Sequence, residues 1–273
     1  MAQVSQDNPK LTVLSIFAHP DDEAFGSGGT LAELARKGHK MTNVCATNGD
    51  VGEISDPSLA NCDNLWQVRQ EEMLNAMAVT GISDVRFFGY RDSGMDGTPD
   101  NNNPASLYQA DPAKVEAQIS ALMEELKPDI VFTHDPTGGY GHPDHVTVYH
   151  RITAVIEAMT GERPHVYHIC FPKKNFKKLW QDMTDAGITP PFAKEQLNDI
   201  GSPDDYVTTV RDVSDYVDIK KESLSCHRTQ VDPDGPFSLL APTVLTAWMG
   251  TEYFYLVPPT NGETHEDILL DLA

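Results

Sequence analysis

Leu11-Thr12-Val13-Leu14-Ser15-Ile16-Phe17-Ala18 runs directly into His19-Pro20-Asp21-Asp22-Glu23, and this junction decides how the chain is read. An apolar run of this length reads as a buried strand. A strand that ends on a histidine and adjacent carboxylates delivers metal-binding groups to its carboxyl end. A second cluster, His142-Pro143-Asp144-His145, stands beyond another apolar run, Asp129 to Thr133. A catalytic zinc usually takes three protein ligands of imidazole and carboxylate type and leaves one position for water. The two clusters together supply more than one such set, which points to a metal-dependent hydrolase.

Outward from the first junction, helical and strand periods alternate. Gly29 to Lys37 reads as a helix closed by Gly38, and Met41 to Thr47 as the next buried strand. Trp66 to Thr80 is predicted helical up to Gly81, Val85 to Tyr90 a strand, Pro112 to Leu126 a helix and Asp129 to Thr133 a strand. His142 or Pro143 then opens a helix to about Met159, followed by a strand at Val166 to Phe171. Tyr206 to Val213 and Tyr253 to Val257 read as strands and Tyr216 to Gln230 as a helix. The order βαβαβαβ predicts an α/β sandwich with a mainly parallel sheet. One domain over residues 1–273 is expected, with a regular core at about 11–165 and a less regular part at about 166–273.

In open sheets of this kind ligands lie beyond the carboxyl ends of the strands, where strand order reverses. Both histidine clusters sit at such ends, as do Asn48-Gly49-Asp50 and Tyr90-Arg91-Asp92. The Gly-, Asn- and Pro-rich stretch from Ser93 to Ala110 reads as a loop over the same rim, a candidate substrate lid. Gly26, Gly28 and Gly29 mimic a dinucleotide fingerprint, but they follow a metal motif instead of opening the first turn, which argues against NAD.

Composition excludes other classes. With 41 acidic against 20 basic residues the formal charge is −21, which disfavours nucleic acid and anionic lipid surfaces as partners. Cys45, Cys62, Cys170 and Cys226 form no CxxC pair, so neither a thiolate zinc site nor a disulfide framework is expected. Met1 to Lys10 lacks a basic start and an apolar signal region, and no segment approaches the ~18 apolar residues of a membrane span. A cytoplasmic protein is expected, and assembly into a homo-oligomer is left open.

Ala18-His19-Pro20-Asp21-Asp22-Glu23, Thr137-Gly138-Gly139-Tyr140-Gly141-His142-Pro143-Asp144-His145 and Cys226-His227-Arg228-Thr229-Gln230 together resemble the PIG-L/LmbE-like zinc-dependent N-deacetylases. Arg91-Asp92-Ser93-Gly94-Met95 matches the bacterial branch that contains the mycothiol-biosynthesis deacetylase. The resemblance extends from about Leu11 to Gln230 and implies a Rossmann-like three-layer sandwich without a nucleotide. It implies removal of the N-acetyl group from an N-acetylglucosamine carried on another group, by attack of zinc-bound water. Zn2+ is the expected cofactor, with Fe2+, Co2+ or Ni2+ as alternatives, and a small N-acetylated amino sugar the expected partner.

Residue by residue, the resemblance makes His19, Asp22 and His145 the metal ligands and Asp21 the general base. Adjacent carboxylates point different ways, so one can hold metal while the other meets the water. The resemblance gives Tyr140 an oxyanion contact on a mobile loop. His142, one helical turn before His145, is expected as an imidazolium that stabilises the oxyanion and protonates the amine, with Asp144 orienting it. Arg69, Asp92, Asp50, Asn48 and Gln230 are expected to hold the sugar or its aglycone, and His227 to close the pocket. Arg69 has a second reading as a helical partner of Glu72, and His134 reads equally as metal support or as core. Two other functions are weighed: an amidase of the same family cleaving a larger acyl group, as in thiol-sugar conjugates, and a non-catalytic sugar-binding module. Asp21 argues against the module, since binding alone has no use for a general base.

Overall fold

A computed structural model describes residues 10–258 and 267–271. The N-terminal stretch read above for a signal segment lies outside the described residues, apart from Lys10. The elements in chain order are β1 (Thr12–Phe17), α1 (Asp22–Arg36), β2 (Lys40–Thr47), α2 (Leu65–Thr80), β3 (Asp84–Tyr90), α3 (Pro112–Leu126) and β4 (Ile130–His134). Then follow a single distorted turn, α4 (Gly138–Gly141), and α5 (Pro143–Ala158), β5 (His165–Cys170), α6 (Lys173–Asp185), β6 (Thr209–Asp212), α7 (Val217–Ser225), α8 (Pro242–Met249), β7 (Thr251–Leu256) and α9 (Ile268–Asp271).

Seven strands form one sheet in the order β3-β2-β1-β4-β5-β7-β6. β1, β2, β3, β4 and β5 pair in parallel, and β7 runs antiparallel to both its neighbours. The mainly parallel α/β sandwich expected from the sequence is therefore the observed fold. The chain moves outward from β1 to β2 and β3 on one side, then returns to place β4 and β5 on the other. The strand order reverses between β1 and β4, where Val13, Leu14 and Ser15 face Ile130, Val131 and Phe132. The loops after these two strands carry the two histidine clusters to one point.

Both faces of the sheet are covered, which is why its central strands are almost wholly buried. Leu14, Ile16, Val44 and Val131 pack under α3 and α5 with Ile119, Leu122, Val148 and Ile152. Val13, Phe17, Phe132, Tyr167 and Phe254 pack on the opposite face with Leu31, Leu34, Ala76 and Met77 from α1 and α2. Leu179 and Met183 of α6 join Leu240 in a smaller cluster with Phe237, Val244, Leu245 and Trp248. The four cysteines are free thiols. No helix among the described residues is long and apolar enough to cross a membrane.

Four helices differ from expectation. Helix α1 begins at Asp22 rather than Gly29, so the whole glycine-rich stretch is helical. Glycine weakens a helix by about 1 kcal/mol per residue relative to alanine, and the sequence pattern therefore places the start too late. Packing explains the glycines: a Cβ on Gly26 would lie 2.7 Å from Ile169 Cδ1, and one on Gly29 2.6 Å from Val213. Helix α7 stops at Ser225, and residues 226–230 turn inward. Helices α6 and α8 were not anticipated, although Phe176, Leu179, Trp180 and Met183 have helical spacing.

These contacts predict the effect of Gly29→Ala. Helix propensity alone favours alanine by about 1 kcal/mol, whereas overpacking costs about 1–3 kcal/mol. Net destabilisation is expected, seen as a Tm lower by about 2–4 °C. Adding Val213→Ala should destabilise the Gly29→Ala protein less than it destabilises the parent. A Gly29→Ala protein as stable as the parent would show that the Val213 contact does not set this glycine.

Candidate active site and metal centre

The loop after β1 is bent by Asp21, whose φ of 112° lies in the left-handed region. Non-glycine residues avoid that region, and holding one there costs on the order of 1–3 kcal/mol. The bend starts α1 at Asp22 and folds its carboxylate back, so that Oδ2 accepts the His19 backbone N–H at 2.7 Å. The strain is braced from below. Glu23, fully buried, accepts the Asp21 N–H through Oε2 at 3.1 Å and pairs through Oε1 with His227 Nε2 at 3.1 Å. Gln230 Nε2 donates to the Pro20 carbonyl at 2.6 Å.

The loop after β4 is shaped by glycines with positive φ, at 138, 139 and 141. A Cβ on Gly138 would lie 2.9 Å from that of His145. Asp135 organises the turn: Oδ1 accepts from Thr137 N, Thr137 Oγ1 and Gly139 N, and Oδ2 from Ser202 Oγ at 2.5 Å. The His142 ring caps α5 by accepting the Asp144 N–H at Nδ1, 3.2 Å. That contact places the ring proton of neutral His142 on Nε2.

Where the loops meet, three side chains converge. His19 Nδ1 lies 3.0 Å from His145 Nε2, His145 Nε2 lies 3.3 Å from Asp22 Oδ1, and His19 Nδ1 lies 3.5 Å from Asp22 Oδ2. Ligands about 2.0–2.1 Å from a tetrahedral zinc stand roughly 3.3 Å apart, and each of these pairwise separations is of that order, with Asp22 meeting the two histidines through different oxygens. Both histidines are oriented through their other nitrogen, as metal ligands commonly are. His145 Nδ1 donates to the Gly138 carbonyl at 3.0 Å, and His19 Nε2 to Asp144 Oδ2 at 3.2 Å.

Overlapping sets of potential ligands exist: His19, His142 and His145; His19, Asp92, His142 and Asp144; and Asp22, His134 and His145. His134 fits poorly because its Nε2 accepts the Ala18 N–H at 3.0 Å. It stacks on His145 with centroids 4.0 Å apart, so of its two readings the structure favours support of the metal site. Asp21, Asp22, Asp92 and Asp144 form no ion pair with lysine or arginine among the described residues. A buried surplus of carboxylates of this kind suits a cation. Burial would raise the Asp22 carboxyl, but His145 and His134 hold it well below the usual range. Burial likewise opposes ionisation of Asp92, and His19 outweighs it.

Several expected roles are redistributed. Asp144 does not orient His142: its Oδ2 lies 3.9 Å from His142 Nδ1 and instead receives His19 Nε2 and the Ser93 N–H. Burial, reinforced by His19, lowers His142 to about 4, so near neutral pH it is an imidazole rather than the expected imidazolium. His227 is wholly buried beneath Asp21 and cannot close a pocket.

Arg69 makes no ion pair with Glu72. It donates to the carbonyls of Gly49 and Glu53 and to Thr229 Oγ1, while Glu72 accepts from Thr229. Asp50 accepts from Arg91 and the Asp92 N–H, and Asn48 accepts from Gln70. These side chains brace the rim, and their polar atoms are largely engaged within the protein. The stretch from Ser93 to Ala110 is likewise tied down. Arg91 binds Asp100, and Asn101 Nδ2 donates to the Ser93 carbonyl at 2.6 Å. It lies along the rim as a hydrogen-bonded wall. Tyr140 is half exposed, its ring 5.1 Å from that of His145.

A cavity of about 200 Å³ opens beside this centre, lined by Asp21, Asp22, Tyr140 and His145 and by Phe25, Phe171, Phe176, Phe237 and Trp248. Glu23 and Asp135, both central to the local architecture, were not among the expected site residues. Glu23 ends the first quoted motif, and Asp135 stands two residues before the second.

Residues 14–158 match the family described as PIG-L, GlcNAc-PI de-N-acetylase. A 1D-myo-inositol 2-acetamido-2-deoxy-alpha-D-glucopyranoside deacetylase of Acidothermus cellulolyticus is 37% identical over 91% of this chain and 89% of its own length. The chain belongs to the PIG-L family of de-N-acetylases. The N,N'-diacetylchitobiose deacetylase of Pyrococcus horikoshii shares the fold, with a TM-score of 0.60 at 22% identity over 90% of this chain and 84% of its own. So does a 4-carboxy-2-hydroxymuconate hydratase of Pseudomonas putida, at 0.56 and 17% over 94% and 100%. One fold thus carries different chemistries, and a PIG-L activity must be argued from the site.

Burial, with Asp22 second, pushes the Asp21 carboxyl up to about 7. A carboxyl whose pKa is raised on folding destabilises the fold progressively as pH climbs from its unfolded value, about 4, to its folded one. In chelator-treated protein, Asp21→Asn should melt near the parent at pH 4 and about 5 °C above it at pH 8. An equal gap at both pH values would contradict the desolvation argument.

Proposed function

We propose that this protein is a hydrolase that removes the N-acetyl group from an N-acetylglucosamine-containing substrate, with His19, Asp22 and His145 holding one zinc ion. The observation that carries the reading is the convergence of those three side chains, whose nitrogen and oxygen atoms approach pairwise to 3.0 to 3.5 Å, beside a carboxylate, Asp21, that lines the adjoining cavity. The ligand set, two imidazoles and one carboxylate, is of the kind that catalytic zinc takes. When bound, such an ion polarises an amide carbonyl and lowers the pKa of a water towards about 7.

The protein's own groups account for the remaining steps. Asp21 makes no hydrogen bond through its carboxylate among the described residues, and its raised pKa suits a base that both takes and returns a proton near neutrality. It accepts a proton from water as the new C–O bond forms, and delivers it to nitrogen as the C–N bond breaks. The Nε2–H of neutral His142 and the Tyr140 hydroxyl are the donors for the carbonyl oxygen as it gains charge. Asp144 holds His19, and Glu23 with His227 holds the backbone of Asp21. The relative's substrate, a glucosaminide of inositol, sets the class to test first.

Released acetate and released amine should appear in equal amounts from N-acetylglucosaminyl-inositol. Asp21→Asn should retain the metal by elemental analysis and lose about 10²–10⁴-fold in kcat. Asp22→Asn and His145→Ala should lose the metal itself. Normal turnover in Asp21→Asn, or full metal content in His145→Ala, would refute the assignment.

A further inference from the structure

The turn α4 carries two groups that the chemistry proposed above uses: the Gly138 carbonyl that receives His145 Nδ1, and the Tyr140 side chain at the cavity. Its own sequence scarcely fixes it. Residues 138, 139 and 141 are glycines at φ 61°, 70° and 84°, and Tyr140 among them is not helical. Glycine visits both halves of backbone space about equally and loses more freedom on ordering than any other residue. Two local backbone bonds, from Gly138 N to the Asp135 carbonyl and from Gly141 N to the Thr137 carbonyl, bracket the turn without reaching the polar groups of Gly139.

Those groups are held by other parts of the chain. Gly201, between α6 and β6, donates its N–H to the Gly139 carbonyl at 2.6 Å. The Gly139 N–H is shared by Asp135 Oδ1 and Thr137 Oγ1, both at 3.2 Å. Asp135 Oδ1 also accepts from Thr137 N and Thr137 Oγ1, and Ser202, 67 residues further on, donates its hydroxyl to Oδ2 at 2.5 Å. Hydrogen bonds to a carboxylate are roughly twice as strong as those between neutral groups, so Asp135 is the anchor of the turn. Ser202 is tied to the end of β5: its Oγ accepts the Phe171 N–H at 3.1 Å, and its N–H donates to the Phe171 carbonyl at 2.8 Å. Asp135 and Ser202 are both buried. The approach demands glycine at 201, where φ is 86° and a Cβ would lie 2.6 Å from the Phe171 carbonyl oxygen.

The two peptide units that flank Gly139 are thus pinned, and the second leads directly into Tyr140. We propose that Ser202, acting through Asp135, is a positioning residue that sets the Tyr140 hydroxyl for the carbonyl oxygen as it gains charge. The inference rests on the amide hydrolysis proposed above. Ser202 does not line the cavity, so it acts only through the turn. A donor displaced by about 1 Å costs up to about 10²-fold in rate, and a small movement of the turn is therefore enough to slow the chemical step. His145 stands on α5, which Val148 and Ile152 anchor in the core, so the metal should stay when Ser202 is changed.

The test is a double-mutant cycle, Ser202→Ala and Tyr140→Phe singly and together, with amine release from N-acetylglucosaminyl-inositol measured on metal-loaded enzyme. Ser202→Ala should keep its metal and lose about tenfold in kcat and kcat/KM alike, the mark of an interaction made only in the transition state. In the Tyr140→Phe protein the same change should cost less than about twofold. Amide exchange gives a readout apart from activity: residues 137–141 should exchange about tenfold faster in Ser202→Ala, while the amides of α5 and the central strands keep the parent's rates. Thr137→Ala removes another Asp135 donor at a half-buried position and should repeat both effects, and Thr137→Ser should restore the parent's behaviour. The test therefore stands even if Ser202→Ala does not fold. An equal loss in both backgrounds, loss of the metal, or unchanged exchange at residues 137–141 overturns the positioning role and leaves the deacetylase reading intact. No amine from the parent overturns both.

Discussion

The structure depends on the carboxylate of Asp22 meeting two strands at once. Oδ2 receives the His19 N–H at the end of β1, and Oδ1 stands 3.3 Å from the His145 ring that follows β4. That arrangement requires the backbone to reverse within one residue, and Asp21 does so at φ 112°. The same reversal turns the Asp21 side chain towards the cavity. Candidate ligand and candidate base are thus separated by one strained peptide unit, and the strain persists because distant segments over-determine it. Glu23, His227 and Gln230 supply that support from positions far apart in sequence.

Much of this was legible in the chain. Buried parallel strands announce themselves as apolar runs, so β1 to β5 fell where expected, and Pro112 and Pro143 marked two helix starts. The candidate metal-ligating residues were visible because His and Asp at a strand end have few structural uses. The start of α1 was not legible, since Gly26, Gly28 and Gly29 argue locally against a helix and only the close packing of Ile169, Lys220 and Val213 explains them. Nor were the partners of Arg69, Asp50 and Asn48. A polar residue on a rim looks the same in sequence whether it faces a sugar or a carbonyl of its own protein, and here Gly49, Glu53, Arg91 and Gln70 engage these groups.

Helices α6 and α8 were also missed, and they matter to the chemistry. Their apolar residues form a small cluster of their own around Leu179, Met183 and Leu240, and hold Phe176 and Trp248 over the cavity. The less regular C-terminal part therefore supplies a wall to a site whose reactive groups come from the regular core. It also returns His227 and Gln230 to brace the first loop, so the two ends of the chain jointly define the centre.

Asp144 couples that centre to the rim. Its carboxylate receives His19 Nε2, the Ser93 N–H and the Ser93 hydroxyl. Ser93 opens the irregular stretch that runs to Ala110, and Asn101 pins that stretch back onto the Ser93 carbonyl. A shift of the stretch would therefore move the acceptor that fixes the tautomer and tilt of His19. Ligand geometry tolerates little displacement, since contacts of this kind orient the ring and tune its basicity. The rim and the candidate metal centre are for this reason one mechanical unit. Sequence spacing treats them as independent because Ser93 and Asp144 belong to different strand ends. The shared carboxylate, fully buried and engaged on both oxygens, is what joins them.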